Sequence, residues 1–200
     1  MPTTTQSQNA PTTRRRLSIG AIIAIILLFL IVLAGLAILI AWLTIRPKRL
    51  VYSIENASIR NYNLTNGHLK SDFMFTIRAY NPNSRVSIYY DKIEAKAYYD
   101  EEMIGFNSIQ PFYQRTRNVT HMGLNLSAKD VALSEVATRD LRMERVRGRI
   151  DLEIKVKAKV RFKVGKLKSR HRTLRVTCGP VKVPMSMYKN FDNTPCDVDL

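Results

Sequence analysis

From Leu17 to Ile45 no position carries a charge, and most are Ile, Leu, Ala, Val or Phe. Beyond residue 50 the pattern changes to apolar and polar positions that alternate over long runs. The first pattern is 29 residues long. A helix needs about 20 apolar residues to cross about 30 Å of hydrocarbon, so residues 17–45 predict a transmembrane helix. A buried core helix would be shorter or amphipathic. A cleaved secretory signal would have a core of about 7–15 residues and a small-residue cleavage site. Here the run gives way to Trp42, Arg46, Pro47, Lys48 and Arg49, with the indole placed for the water interface. Residues 1–16, rich in Thr, Gln, Ser, Asn and Pro, predict a disordered tail.

Between Ile150 and Val164 the second pattern has no exceptions. Apolar side chains occupy every even position, and Asp151, Glu153, Lys155, Lys157, Lys159, Arg161 and Lys163 occupy the odd ones. A period of two puts the apolar set on one face of a strand and the charges on the other. Fifteen extended residues would reach about 50 Å, so a bend or bulge partway is expected. Thr173 to Val183 reads as a further strand, broken near Gly179-Pro180. Leu50–Ile59, Phe73–Tyr80, Ile93–Tyr99 and Val119–Leu126 read as earlier ones. Turn chemistry separates them at Asn66-Gly67, Asn81-Pro82-Asn83, Gly105 and Gly123. Ser134 to Arg147 is the one helical candidate. An antiparallel β-sandwich over residues 50–200, with one short helix, is the predicted fold, and a partly closed barrel is the alternative.

Charge decides little about which side of a membrane this domain occupies, because Arg14, Arg15 and Arg16 balance Arg46, Lys48 and Arg49. Other features break the tie. Residues 50–200 contain 11 Asn and 18 Ser or Thr in 151 positions. Chance therefore gives about one glycosylation acceptor, yet four occur, at Asn56, Asn63, Asn118 and Asn125. The cysteines, Cys178 and Cys196, form an even pair in the same region, which suits an oxidising compartment. A cytoplasmic N-terminus and an exterior or lumenal β domain follow; a cytoplasmic β domain tethered to an inner leaflet is the competing arrangement. A bridge between the cysteines would contribute about 3 kcal/mol in the chain-entropy account, and two inert thiols are the alternative.

The formal net charge of +16 is concentrated. Arg139 to Arg175 holds 15 Lys or Arg against four Asp or Glu, whereas the rest of residues 50–200 is near balance. Lys155, Lys157, Lys159, Arg161 and Lys163 would repeat every ~7 Å along one face, within a Debye length of ~8 Å, so their fields sum. Lys166, Lys168, Arg170, Arg172 and Arg175 extend the patch if the chain folds back. Acidic wall polysaccharide, anionic lipid and nucleic acid all suit such a face. Exterior topology argues against nucleic acid, and anionic lipid lies mainly on the cytoplasmic side; a solvated face that discourages aggregation is the plainer reading. His68, His121 and His171 stand apart, without metal-ligand spacing, and no nucleophile elbow or phosphate loop occurs. No enzyme, cofactor or metal is expected. Gly20-x-x-x-Ala24 and Ala37-x-x-x-Ala41 would allow helices to pair into a homo- or hetero-oligomer within the lipid bilayer.

The string from Asn81, Pro82 and Asn83 through Tyr89, Tyr90 and Asp91 to Tyr99 resembles the plant harpin-induced and disease-resistance-related membrane proteins. These belong to the late embryogenesis abundant type-two group, once labelled hydroxyproline-rich glycoproteins. Arg161 to Gly179, and the ending Cys196-Asp-Val-Asp-Leu200, resemble it too. The resemblance implies a plasma-membrane protein crossing once, with an immunoglobulin- or fibronectin-like exterior domain. It also implies roles in pathogen response, at plasmodesmata or in abiotic stress, with membrane proteins among the partners, and the ending favours a Cys178–Cys196 bridge. Read from its residues alone, Asn81-Pro82-Asn83 is a turn in which the amides bond nearby backbone, with ligand binding as the alternative. Each tyrosine doublet would put one ring in the core and one outside.

Overall fold

A computed structural model of the chain describes residues 19–45, 48–185 and 191–200. The expectations for residues 1–16, for Leu17 and for Arg46 and Pro47 lie outside them, as does the side chain of Trp42. Two compact units result, residues 1–46 and 47–200. The first contains α1, Ile19–Ile45, with no acidic residue in its first turn and no basic residue in its last. Its Ile19–Ile40 stretch is long and apolar enough to cross a membrane. Large apolar side chains, such as Leu28, Phe29 and Ile31, are exposed along it. A helix that is hydrophobic all round requires an apolar surrounding.

The second unit is almost wholly antiparallel β. Its strands are β1 (Val51–Thr65), β2 (His68–Asn81), β3 (Val86–Tyr99), β4 (Glu102–Ile109), β5 (Phe112–Gln114), β6 (Asn118–Ala132), β7 (Arg149–Val164), β8 (Leu167–Lys168), β9 (Arg172–Pro184) and β10 (Thr194–Asp199). The helix α2 (Glu135–Arg147) joins β6 to β7. Ser134 caps its start by accepting from the Ala137 N–H at 3.2 Å, and Gly148 ends it in the left-handed conformation.

Hydrogen bonding runs through one sheet in the order β4-β3-β7-β9-β10-β1-β2-β6, with β5 on β3 and β8 on β7. The two end strands then approach each other. Asn107 Nδ2 donates to the Asn125 carbonyl at 2.7 Å across the seam. A Cβ on Gly105 would stand only 3.1 Å from the Leu126 Cβ. The sheet is therefore a nearly closed barrel, the alternative the sequence had allowed. The two-sheet immunoglobulin- or fibronectin-like division is not what the hydrogen bonds describe, because β10 and β1 carry the ladder without interruption from β9 to β2.

Two expected turns are corrected. Gly105 lies inside β4 and Gly123 inside β6. Gly105 is small because β6 passes close by, whereas the exposed Gly123 has open space around its Cα. Asn66 and Gly67 do make a turn, both with positive φ. The expected bulge is also relocated. β7 runs through, and its neighbours absorb the irregularity: Asp91 is the extra residue of β3, and on β9 Gly179 and Pro180 together stand opposite the single Glu153.

β7 supplies the core with Ile150, Leu152, Ile154, Val156, Ala158 and Val160, none more than 6% exposed. Ile77, Phe73 and Leu126 face them from the other wall, all fully buried. Replacing Ile154 by Ala is expected to cost about 2–5 kcal/mol, while Lys157→Ala on the opposite face stays within about 0.5 kcal/mol. Urea unfolding of the full chain in detergent micelles, followed by far-ultraviolet circular dichroism, compares the two.

Candidate functional site

The alternation of β7 turns Lys155, Lys157 and Lys159 outward, and all three are exposed. Register adds cations from both neighbours. Lys96 lies opposite Lys155 and Lys92 opposite Lys159 on β3, while Arg175 lies opposite Lys157 on β9. A shallow groove of about 260 Å³ runs across this wall, lined by Glu94, Lys96, Tyr98, Lys155, Lys157 and Arg175. Lys155 Nζ sits 4.8 Å from the centre of the Tyr98 ring and 2.8 Å from a Glu153 carboxylate oxygen. That carboxylate raises the Lys155 pKa. Lys92 pairs with Glu94 at 2.6 Å and lowers the Glu94 pKa. Lys96 and Lys157 in the groove, and Lys159 beyond it, form no ion pair among the described residues, and so carry the uncompensated charge of the wall.

The expected row of five equal cations is split. Arg161 and Lys163 are half-buried. Arg161 forks onto Asp91, with Nε to Oδ2 at 2.8 Å and Nη2 to Oδ1 at 2.5 Å. Its guanidinium holds the Asp91 carboxyl below the usual range, and His171 stands 3.4 Å away on the same group. Tyr89 lies 5.7 Å from the Arg161 guanidinium and 4.8 Å from Lys168 Nζ, and packs against Tyr113 at 4.6 Å. The chain does fold back: Lys168 pairs in register with Lys163 through β8.

The doublets divide as a pleated strand requires. Tyr90 and Tyr99 are buried and Tyr89 and Tyr98 face outward. Tyr52 and Tyr90 share a hydroxyl–hydroxyl hydrogen bond in the core, and Tyr90 donates to Gln114 Oε1 at 3.2 Å. Gln114 in turn donates to the Ala79 carbonyl at 2.8 Å. Burial pushes the Tyr90 hydroxyl up to about 12.

Asn81, Pro82 and Asn83 form a structural clamp. Asn81 is fully buried and donates to the Val86 and Arg115 carbonyls at 2.8 and 3.0 Å. Asn83 accepts from the Lys48 N–H at 2.7 Å and donates to the Lys48 carbonyl at 3.0 Å. These bonds, with that from Asn83 Nδ2 to Asn81 Oδ1, occupy the amides that a ligand would need. The sequence missed that the motif joins three separate segments.

The four acceptor asparagines, Asn56, Asn63, Asn118 and Asn125, are all exposed on β1 and β6. The cation wall is on β3, β7 and β9 instead. Cys178 and Cys196 are joined, tying β9 to β10 at an in-register pair. Among the described residues no cluster of His, Cys, Asp and Glu could hold a metal. Each histidine instead meets a carboxylate: His68 with Asp130, His121 with Glu55, His171 with Asp91.

Comparison with known proteins adds a family context. The family model for Late embryogenesis abundant protein matches residues 76–178, just over half of the chain. An uncharacterized protein of Arabidopsis thaliana is 38% identical over 183 residues, which cover 90% of this chain and 82% of that protein. NDR1/HIN1-like protein 3 of the same plant is 35% identical over 87% of this chain and 78% of its own length. NDR1/HIN1-like protein 10 is 32% identical, covering 87% and 81% respectively.

Because the folded-state pKa of Asp91 is depressed, its pairing with Arg161 stabilises the fold above the ordinary carboxylate pKa of about 3.9. That stabilisation is lost as pH falls through the lower, folded value. Stability measured between about pH 6 and pH 2 should fall less steeply for Asp91→Asn than for the native chain, and the variant should be weaker at neutral pH. Parallel curves would show that the pair contributes nothing.

Proposed function

The chain belongs to the late embryogenesis abundant family, and from that membership we propose a non-enzymatic plant defence-response protein of the plasma membrane. Residues 17–45 cross the bilayer once. The N-terminus is cytoplasmic and the β domain exterior, with plasmodesmata as one location. There its basic wall contacts acidic wall polysaccharide or partner membrane proteins. The resemblance to NDR1/HIN1-like proteins supports the defence role. The exposed acceptor asparagines and the joined cysteines support the exterior side. The two-sheet immunoglobulin-like arrangement carries no part of this reading.

The observation that carries the binding reading is the groove of Lys96, Lys155, Lys157 and Arg175 beside Tyr98. A polyuronate presents carboxylates at regular intervals, and a strand presents alternate cations every ~7 Å. Lys96, Lys157 and Lys159, which form no ion pair among the described residues, gain most from such a partner, since Lys92, Lys155 and Arg175 already have carboxylates. A ring such as Tyr98 offers a sugar an apolar face, while the acceptor sites on β1 and β6 leave this wall clear of glycans.

Replacing Lys155, Lys157 and Lys159 together by Glu should reduce retention on polygalacturonate at least tenfold, with thermal unfolding little changed. Equal retention would remove the wall-contact mechanism and leave the second reading, a stress-protective membrane protein without a specific ligand. Sidedness is tested separately. Glycosidase treatment of the expressed chain should lower its mass, and Asn→Gln at all four acceptors should abolish the shift; a cytosolic β domain would show neither.

A further inference from the structure

The register of the strands sorts the loops of the β domain into two ends. Lys48 bonds Asn83 in the β2–β3 turn, whose Asn83 carbonyl accepts from the Arg117 N–H at 3.0 Å in the β5–β6 turn. Val86 at the start of β3 faces Val164 at the end of β7. Lys48, these two turns and the β7–β9 connection therefore share one end. The β1–β2 turn, the β3–β4 turn and α2 share the other.

The Lys48 end is predominantly basic, with Asp197 and Asp199 of β10 as the carboxylates beside Arg49. Lys48, Arg49, Arg85, Arg115 and Arg117 are all exposed there. The β7–β9 connection adds exposed Lys166, Lys168, Arg170 and Arg172. None of these nine forms an ion pair among the described residues. Nearby Asp91 is already held by Arg161 and His171, and Asp199 by Arg175. At the α2 end charge is mixed. Asp100, Glu101 and Glu102 of the β3–β4 turn, with Glu135, Asp140 and Glu144 of α2, stand among its arginines.

Chain connectivity says what the basic end meets. Only residues 46 and 47 separate Ile45 from Lys48, a link that spans at most about 10 Å when extended. We propose that the Lys48 end is a headgroup-docking surface, seating the β domain on anionic phospholipids of the bilayer that holds residues 17–45. Tethering raises the effective concentration of headgroups to the millimolar range, so an anionic lipid that is scarce in that leaflet still gathers under the ring. The surface adjoins the β7 row at Lys168, which pairs with Lys163, but it lies at the barrel's end, whereas the groove of Lys155 and Lys157 lies along its side. The inference rests on the reading of residues 17–45 as a span, but not on the wall-polymer reading.

The test uses the full chain reconstituted into nanodiscs of phosphatidylcholine alone or of phosphatidylcholine and phosphatidylglycerol at about 3:1. A water-soluble amine reagent followed by mass spectrometry reads each lysine. In the anionic discs Lys48, Lys166 and Lys168 should be modified several-fold more slowly, while Lys129 and Lys182 keep their rates. High salt should erase the difference. So should the triple variant Arg85→Glu, Arg115→Glu, Arg117→Glu, which leaves every reporting lysine in place; unchanged rates at Lys129 and Lys182 verify its fold. Equal rates in the two lipids, or a uniform fall at all lysines, would overturn the proposal. Protection of the same three lysines by soluble polygalacturonate but not by phosphatidylglycerol would overturn it in favour of a wall polymer. Failure of the chain to enter the discs would instead refute the span.

Discussion

The register of β7 is the constraint on which the domain depends. One period-two pattern places Ile150, Leu152 and Ile154 in the core and Lys155, Lys157 and Lys159 in solvent. A slip of one residue would bury every cation and expose every core contact of the strand, so the register is fixed by hydrophobic burial alone. The irregularities sit where they leave it intact. Asp91 on β3 and Gly179-Pro180 on β9 take up the extra residues. The bulge at Asp91 also delivers a carboxylate to Arg161, so the cation wall loses one member to the fold.

Long-range strand pairing costs loop-closure entropy, and three polar or covalent ties oppose it at separate places. Asn81 and Asn83 join Lys48, the β2–β3 turn and the β5–β6 turn through amides with their hydrogen-bonding groups engaged. Tyr52, Tyr90 and Gln114 link β1, β3 and β5 inside the core. The disulfide holds β10, a short strand that carries the sheet from β9 to β1. A buried polar group left unpaired costs about 1–3 kcal/mol, which explains why these side chains are bonded to several elements at once.

Alternation made β7, β9 and parts of β1, β2, β3 and β6 legible in the sequence, and Ser134 to Arg147 stood out as the one helical candidate. What it could not show was pairing. β4 was missed because Gly105 reads as a turn until Leu126 is known to pass beside it. β10 was missed because Thr194–Asp199 is polar and short; its place in the sheet comes from neighbours on both sides. The cation wall was visible on β7, but Lys92, Lys96 and Arg175 join it only through register. Arg161 looked equivalent to its neighbours because Asp91 is 70 positions away in the chain.

Two sets of cations thus arise by different routes. Those on the wall are periodic, set by one strand and its partners, and interleaved with Glu94 and Glu153. Those at the Lys48 end come from four separate segments, mostly turns and strand ends, with no common period. Solvation of a sheet face accounts for the first set without further purpose. It does not account for the second, since turns are equally well solvated by Ser, Asn or Asp, and the α2 end uses both signs. Like charges gathered on one end repel one another and destabilise the fold slightly. That cost is offset when an anionic surface is held against them, and the short link to residues 17–45 supplies such a surface without a search.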